Sequence, residues 1–207
     1  MCPNARFFVD KHQLMYILGK STQLYMSHGC RSSKRVDIVH EFLASNISKY
    51  FPKDKFEVLT EYNIPYDNIT GRKKCDVVVK YLDSPKIHTV FPVKFVNTNY
   101  MQNRNNYWEN LRGEVVGILD ANPGIRVTPI NIIFKQTPYL EKGGMIAKFE
   151  NTCYEQSFKQ YESLVTRGRC KRLFSAVVDV TYNNTIGEKY DKMPILNDVE
   201  CFYCRGT

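Results

Sequence analysis

The chain has 207 residues and carries 29 Lys and Arg against 21 Asp and Glu, which gives a formal net charge of +8. Hydrophobic residues make up 43% of the sequence and aromatic residues 13%, which excludes a disordered or low-complexity chain. This length predicts one globular domain, 1–207, whose core needs no disulfide or metal support. The positive charge favours a polyanionic partner.

The cysteines and the N-terminal segment favour an intracellular, cytoplasmic protein. Seven cysteines are an odd number for a disulfide framework, so we expect reduced thiols. Residues 1–10 lack the pattern of a secretory signal peptide. The longest apolar runs are too short for a transmembrane segment, so we expect no membrane partner.

Two helices are predicted near the N-terminus. Residues 11–19 could form a short helix that ends at Gly19, and residues 21–33 are predicted to be irregular and basic. From Val36 the apolar residues recur at steps of three and four, which predicts an amphipathic helix over 36–50. Pro52 stops this helix.

Three strand-like runs follow, at residues 56–62, 75–82 and 88–96, with a turn at 65–71. Pro92 lies inside the third run. Because proline has no N–H to donate to a ladder, the third strand is predicted to be bulged there or to lie at a sheet edge.

The remaining elements alternate between helix and strand. They are a polar helix at 102–119, a strand buried on both faces at 126–134, a loop at 142–144, a helix at 154–165, a strand at 173–182 and a mostly irregular tail from residue 183. This order predicts an α/β (α+β) fold, in which helices flank a mixed central β-sheet. We expect an N-terminal basic extension over 1–35, a core over 36–135 and a C-terminal αβ extension over 136–207.

Asp76 and Lys94 are the candidate catalytic residues. Asp76 begins the second strand, and Lys94 lies eighteen residues later in the third. If these strands pair as a hairpin, the two side chains come level near the same end of the sheet. A carboxylate beside a lysine can hold a divalent cation and orient a water for attack on phosphorus.

These residues resemble the motif of the PD-(D/E)xK nuclease superfamily, which includes most type II restriction endonucleases. Cys75 and Asp76 correspond to the PD pair, and Pro92-Val93-Lys94 to the (D/E)xK triplet. The resemblance covers about 36–134, in the family's order of helix, three strands, helix and strand. It implies a restriction-endonuclease-like αβββαβ core and Mg²⁺-dependent hydrolysis of double-stranded DNA, with Mn²⁺ as a possible substitute. A 5′-phosphate, a 3′-hydroxyl, sequence specificity and a homodimer are implied in the same way.

Pro92 departs from this pattern, because proline cannot ligate a cation through its side chain. The missing acid could lie on the helix after the lysine strand, at Glu109 or less favourably at Glu114, or on the first helix at Glu41. Alternatively, the protein is an inactive nuclease fold that only binds DNA or a protein partner. We expect Glu109 as the second catalytic acid and metal ligand, with Glu41 and the main-chain carbonyl of Val93 as further ligands.

Two groups of residues are candidates for contact with DNA, one basic and one rich in amides. Amide side chains are poor helix formers but bond well to base edges and phosphates. The candidates are Arg72, Lys73 and Lys74 before the second strand, and Asn99, Gln102, Asn103 and Asn106 after the third.

Other signals for a metal are weaker. Cys201 and Cys204 form a Cys-x-x-Cys pair, but no second pair follows at zinc-ribbon spacing, so zinc is not expected there. The four histidines show no ligand spacing, and His40 is expected on a helix surface. An unrelated basic protein, such as an RNA-binding module, is the remaining class. A separation of more than about 10 Å between Asp76, Lys94 and Glu109 would favour it.

Overall fold

The computed structural model of the protein describes residues 9–29, 32–66 and 71–205. Parts of the predicted N-terminal extension and of the predicted turn at 65–71 lie outside these ranges. The described elements, in chain order, are α1 (Lys11–His28), α2 (Lys34–Ser48), β1 (Phe56–Pro65), β2 (Arg72–Tyr81), β3 (Ile87–Phe91), β4 (Val93–Val96), α3 (Tyr100–Ala121), β5 (Arg126–Val127), β6 (Ile130–Phe134), β7 (Gln136–Leu140), β8 (Ile146–Asn151), α4 (Tyr154–Thr166), β9 (Arg172–Thr181) and β10 (Ile195–Arg205).

The described strands form two four-stranded sheets and a separate hairpin. The first sheet has the order β1-β2-β3-β5, in which the first three strands are an antiparallel meander and β5 is parallel to β3. The second has the order β10-β9-β6-β4, with β4, β6 and β9 parallel and β10 antiparallel. The predicted mixed α/β fold is therefore confirmed, although the strands divide between two sheets.

The chain passes from the first sheet to the second at two prolines. Pro92 separates β3 from β4, and Pro129 lies between β5 and β6. Each proline lacks an N–H, so the ladder is interrupted at that residue. The Pro92 carbonyl still accepts a bond of 2.8 Å from the N–H of Ile130. The two runs predicted as single strands are thus each divided.

Three of the predicted helices are present as α2, α3 and α4. The first helix is longer than predicted, because α1 continues through Gly19 to His28. Its buried side, which includes Leu14, Leu18 and Tyr25, extends past that glycine and holds the helix together. Gly29, whose φ is +78°, follows the last helical residue. The prediction of an irregular segment is therefore wrong for residues 21–28.

The tail from residue 183 was predicted to be irregular, which is wrong for its second half. There β10 pairs with β9 along its length. Its exposed positions include Asn197, Asp198 and Glu200, whereas Val199 is buried. An outer strand with one polar face has a weak hydrophobic pattern, which accounts for the error. The hairpin of β7 and β8, which surrounds the predicted loop at 142–144, was also not predicted.

Apolar clusters lie on both sides of the second sheet. One joins Leu43 of α2 to Phe134 of β6, and the other joins Leu111 of α3 to Tyr161 of α4. The strand β6 is buried along its whole length, as predicted. Among the described residues, no helix is both long and apolar enough to cross a membrane.

Candidate active site

Asp76 lies beside the break between β3 and β4. Val77 pairs with Phe91, so Asp76 stands opposite Pro92 across the strands. The main-chain N–H of Val93 donates to Asp76 Oδ2 at 2.6 Å. The structure therefore brings Asp76 and Lys94, the residue after Val93, to the same end of the sheet.

His40 faces Asp76 from α2. Its Nδ1 lies 2.7 Å from Glu61 Oε1, and its Nε2 lies 4.0 Å from Asp76 Oδ1. Histidine ligands of metal ions commonly hold their second ring nitrogen against a carboxylate in this way. His40 is 6% exposed, so the expectation of a surface residue is wrong. Its position four residues after Val36 puts it on the buried side of α2, a signal that the sequence contained.

Glu61 is the second acid that the sequence reasoning missed. It lies between the register pairs Thr60–Val77 and Tyr62–Cys75, so Glu61, Asp76 and Pro92 occupy one row across three strands. The acid absent at Pro92 thus has a counterpart on the other side of Asp76. Glu61 has a φ of +53°, which is unfavourable for a residue with a side chain.

Two neighbours complete the group around Glu61. Lys74 Nζ lies 2.9 Å from Glu61 Oε2. Asp37, one turn before His40 on α2, brings a carboxylate oxygen close to the same position. Potential ligand atoms of Asp37, His40 and Glu61 all lie within 4.8 Å of one another. Together with Asp76, these side chains are the candidate metal ligands.

Lys94 is held by an acid of α3. Its Nζ lies 2.9 Å from Glu114 Oε2, and Lys73 Nζ lies 3.7 Å from Glu114 Oε1. The Glu114 side chain is only 6% exposed. A buried carboxylate between two ammonium groups is an anchor for them. Glu114, rather than Glu109, is therefore the glutamate of α3 that reaches the site.

Glu109 and Glu41 are not brought into this cluster. Both are exposed, and no hydrogen bond or ion pair between described residues includes either of them. Glu109 precedes Glu114 by five residues, which turns it by about 140° around the helix axis. His40 takes the inward position next to Glu41. Val93 contributes its N–H to Asp76, and a ligand role for its carbonyl stays a prediction.

The two acids differ in their protonation. Burial raises the pKa of Asp76 and the charge of Glu114 adds to this, while His40, the Val93 N–H and Lys94 act against it. Burial also raises the pKa of Glu61, but its bonds to Lys74 and His40 outweigh burial and leave that pKa below its usual value. Asp76 is thus the carboxylate that gains most from a nearby cation.

A pocket of about 210 Å³ opens beside these groups. A larger groove, of about 440 Å³, lies around Pro85 and Arg126 and contains none of the site residues. We assign the chemistry to the smaller pocket because an acid, a histidine and a lysine converge there. Its lining residues are Val36, His40, Asp76, Val93, Lys94, Phe95, Val96 and Tyr107.

The predicted basic contacts to DNA have unequal freedom. Lys73 and Lys74 are paired with Glu114 and Glu61. Arg72 is exposed and donates to the carbonyl of Asn63 at 3.0 Å, which leaves its charge without a carboxylate partner among the described residues.

The predicted amide contacts also divide into two kinds. Asn99 both donates to the carbonyl and accepts from the N–H of Leu140, at 3.1 and 3.0 Å, so its amide is occupied within the fold. Asn103 donates to the Asn99 carbonyl at 3.2 Å. Gln102 and Asn106 are exposed and remain accessible to a partner.

Cys201 and Cys204 lie on opposite faces of β10. Cys201 packs against the cluster that contains Phe134, and Cys204 packs against the cluster that contains Tyr161. Residues three apart on a strand point to opposite sides, so this pair cannot act as one two-thiolate ligand.

The chain matches no protein-family model, and neither a curated protein nor a solved structure shows significant similarity to it. The functional argument therefore depends on the geometry of the pocket and on the sequence motif.

Proposed function

We propose that the protein is a metal-dependent nuclease that hydrolyses phosphodiester bonds in double-stranded DNA. The observation that carries this proposal is the position of Asp76, which has His40 Nε2 at 4.0 Å on one side and Lys94 after its Val93 hydrogen-bond partner on the other. The chain order α2, β1, β2, β3–β4, α3 and β6 supports a restriction-endonuclease-like αβββαβ core.

Asp76 and His40 are the primary candidates to hold the cation. Their facing atoms are close enough for one ion about 2.0–2.2 Å from each, and the bond from Glu61 orients the imidazole. When bound, the cation would neutralise phosphate charge and acidify a water. An imidazole ligand favours a first-row transition ion, so we expect Mn²⁺ to support activity better than Mg²⁺.

Lys94 is the residue that positions the attacking water and stabilises the developing charge on phosphate. Its ammonium group has three donors, and Glu114 occupies one of them at 2.9 Å. The remaining donors can point into the pocket. Glu114 acts through Lys94 and is therefore a positioning residue.

Pro92 favours a second candidate function, an inactive nuclease fold that binds DNA or a protein partner. The row Glu61–Asp76–Pro92 has one acid fewer on the lysine side than the resemblance implies, and the ammonium of Lys94 already has a carboxylate partner. Such a protein would retain DNA on a gel without cutting it.

The direct test is incubation of plasmid DNA, prepared without methylation, with the purified protein and no cation, Mg²⁺ or Mn²⁺. We expect cation-dependent cleavage that Asp76→Asn reduces at least about 100-fold. The matched control is Asp83→Asn, an exposed aspartate in the turn after β2, which should cut normally. DNA that is bound but intact with every cation would instead support the inactive binder.

A second pair of variants tests the role of Lys94. Glu114→Gln keeps the size of the side chain but releases the ammonium, so we expect about a 10- to 100-fold loss of cleavage. Glu109→Gln, five residues earlier on the same helix, should have no effect. A large loss with Glu109→Gln and none with Glu114→Gln would restore Glu109 as the catalytic acid and contradict this geometry.

A further inference from the structure

Arg35 carries a half-buried charge that no carboxylate compensates within the described ranges. It lies in the first turn of α2, and its guanidinium carbon lies 5.4 Å from the centre of the Tyr25 ring. No described Asp or Glu lies within 4.0 Å of its nitrogens, and its buried Nε has no hydrogen-bond partner there. An unpaired charge in a partly buried position is costly, so this group is suited to an external anion.

Asn97 presents a second unused donor next to Arg35. The residue is 2% exposed, and its buried Nδ2 has no partner among the described residues. Its Oδ1 accepts only a long bond of 3.5 Å from Arg35 Nη1. Buried amides normally have all their hydrogens bonded, so an unbonded one beside an unpaired guanidinium indicates a missing acceptor.

These donors adjoin the pocket that contains Asp76. Val36, which follows Arg35, and Val96, which precedes Asn97, both line that pocket. Asn97 follows Lys94 by three residues, which is about 10 Å along the chain. Arg35 also acts electrostatically on Tyr107, another lining residue, and opposes the rise that burial causes in the pKa of its phenol. An anion at Arg35 would therefore lie at one end of the candidate active site.

We propose that Arg35 and Asn97 form a subsite for a phosphate group of the nucleic acid, distinct from the phosphate that is cut. This inference rests on the proposed nuclease function for the identity of the ligand. A guanidinium and an amide together offer several N–H donors, the arrangement that suits phosphate oxygens. The subsite would fix the register of the strand relative to Asp76 and Lys94.

The first test uses inorganic phosphate, without DNA or cation, and measures the protection of the folded protein against thermal unfolding. The wild type should be stabilised, and Arg35→Gln should lose that stabilisation. Lys34→Gln is the matched control, since it removes one charge from the adjacent exposed residue. Asn97→Asp should fold at least as well as the wild type, because the new carboxylate pairs with Arg35, yet it should no longer respond to phosphate.

The second test uses short duplexes with a 5′-phosphate or a 5′-hydroxyl, bound to the Asp76→Asn variant without cation. Arg35→Gln should weaken binding about 10- to 100-fold relative to Lys34→Gln. A loss confined to the 5′-phosphorylated duplex assigns the subsite to a chain end, and an equal loss for both duplexes assigns it to an internal phosphate. Equal behaviour of Arg35→Gln and Lys34→Gln in both tests would overturn the subsite. Because no readout requires cleavage, failure of the nuclease proposal would be separately visible.

Discussion

At the scale of single residues, Asp76 combines a buried position with incomplete charge compensation. Its carboxylate accepts one main-chain hydrogen bond, and the nearest cationic group printed by geometry is His40, whose Nε2 is 4.0 Å away. Lys94 and Lys73 are instead directed at Glu114. A carboxylate that folds into such a position without a full partner is more typical of a binding site than of a structural ion pair.

This imbalance predicts an unusual effect of Asp76→Asn on stability. The pKa of Asp76 is raised in the folded protein above its model value of 3.8. Its charged form therefore lowers stability above the folded-state pKa, and this effect disappears as the pH falls below the unfolded value. We expect Asp76→Asn, without cation, to melt at the same temperature as the wild type or higher at pH 7 to 8. The difference should vanish in acid.

The same variant should lose the stabilisation by a cation. For the wild type, Mn²⁺ at 100 times its dissociation constant would add about 2.7 kcal/mol to the free energy of unfolding. Calorimetry of both proteins across pH, with and without Mn²⁺, measures both effects. A clearly lower melting temperature for Asp76→Asn at pH 7 would mean that Asp76 is a structural residue, against this prediction.

At the scale of elements, the site depends on where α2 and three strands meet. Periodicity was sufficient to predict α2, α3, α4 and β9, because each buries a regular stripe or a continuous apolar run. The hairpin pairing of β2 with the lysine strand also followed from the sequence, since Asp83 and Pro85 mark the turn between them. These elements position Asp76, Lys94 and the glutamates of α3.

The remaining parts of the site depend on tertiary contacts that local patterns do not encode. Glu61 reaches His40 through a left-handed backbone position within β1, which no propensity predicts. The choice of Glu114 over Glu109 depends on how α3 is rotated about its axis, and its weak amphipathic pattern left that rotation open. The passage between sheets at Pro92 was predicted only as an interruption of one strand.

Asn99 gives a testable case at this scale, since it joins the start of α3 to β7. Its backbone is left-handed, with φ +52°, and its main-chain N–H bonds to the Pro138 carbonyl at 3.0 Å. Asn99→Ala would lose both side-chain bonds to Leu140 and force alanine into that backbone conformation. We expect a loss of about 2–4 kcal/mol in the free energy of unfolding, measured by chemical denaturation.

Two further variants separate structure from recognition in this segment. Asn99→Gly relieves the backbone but still loses the bonds, so its stability should lie between Asn99→Ala and the wild type. Asn106→Ala, on the exposed side of α3, should change stability by less than about 0.5 kcal/mol. If Asn99→Ala folded normally and lost only DNA affinity, the residue would be a DNA contact and its structural role would be refuted.

At the scale of the whole molecule, the net charge of +8 attracts polyanions, but local pairing decides which cations contact phosphate. Lys73 and Lys74 neutralise the acids that arrange Lys94 and His40, so part of the basic cluster serves the site itself. Arg72 has no such acid and stays available. A two-fold dimer, which cutting both strands of a palindrome would require, stays a prediction.

The salt dependence of DNA binding distinguishes these cations. Each phosphate contact adds about 0.9 to the slope of log affinity against log salt concentration, because it releases counterions. We expect Arg72→Gln to lower that slope by about 0.9. Lys74→Gln removes the same charge from an exposed neighbour on the same strand, but it should change the slope less because Glu61 already pairs with Lys74. Fluorescence anisotropy of a labelled duplex between about 50 and 200 mM salt measures both slopes. Equal slopes for the two variants would mean that the ion pair with Glu61 does not withhold Lys74 from DNA, and that the whole basic cluster contacts phosphate.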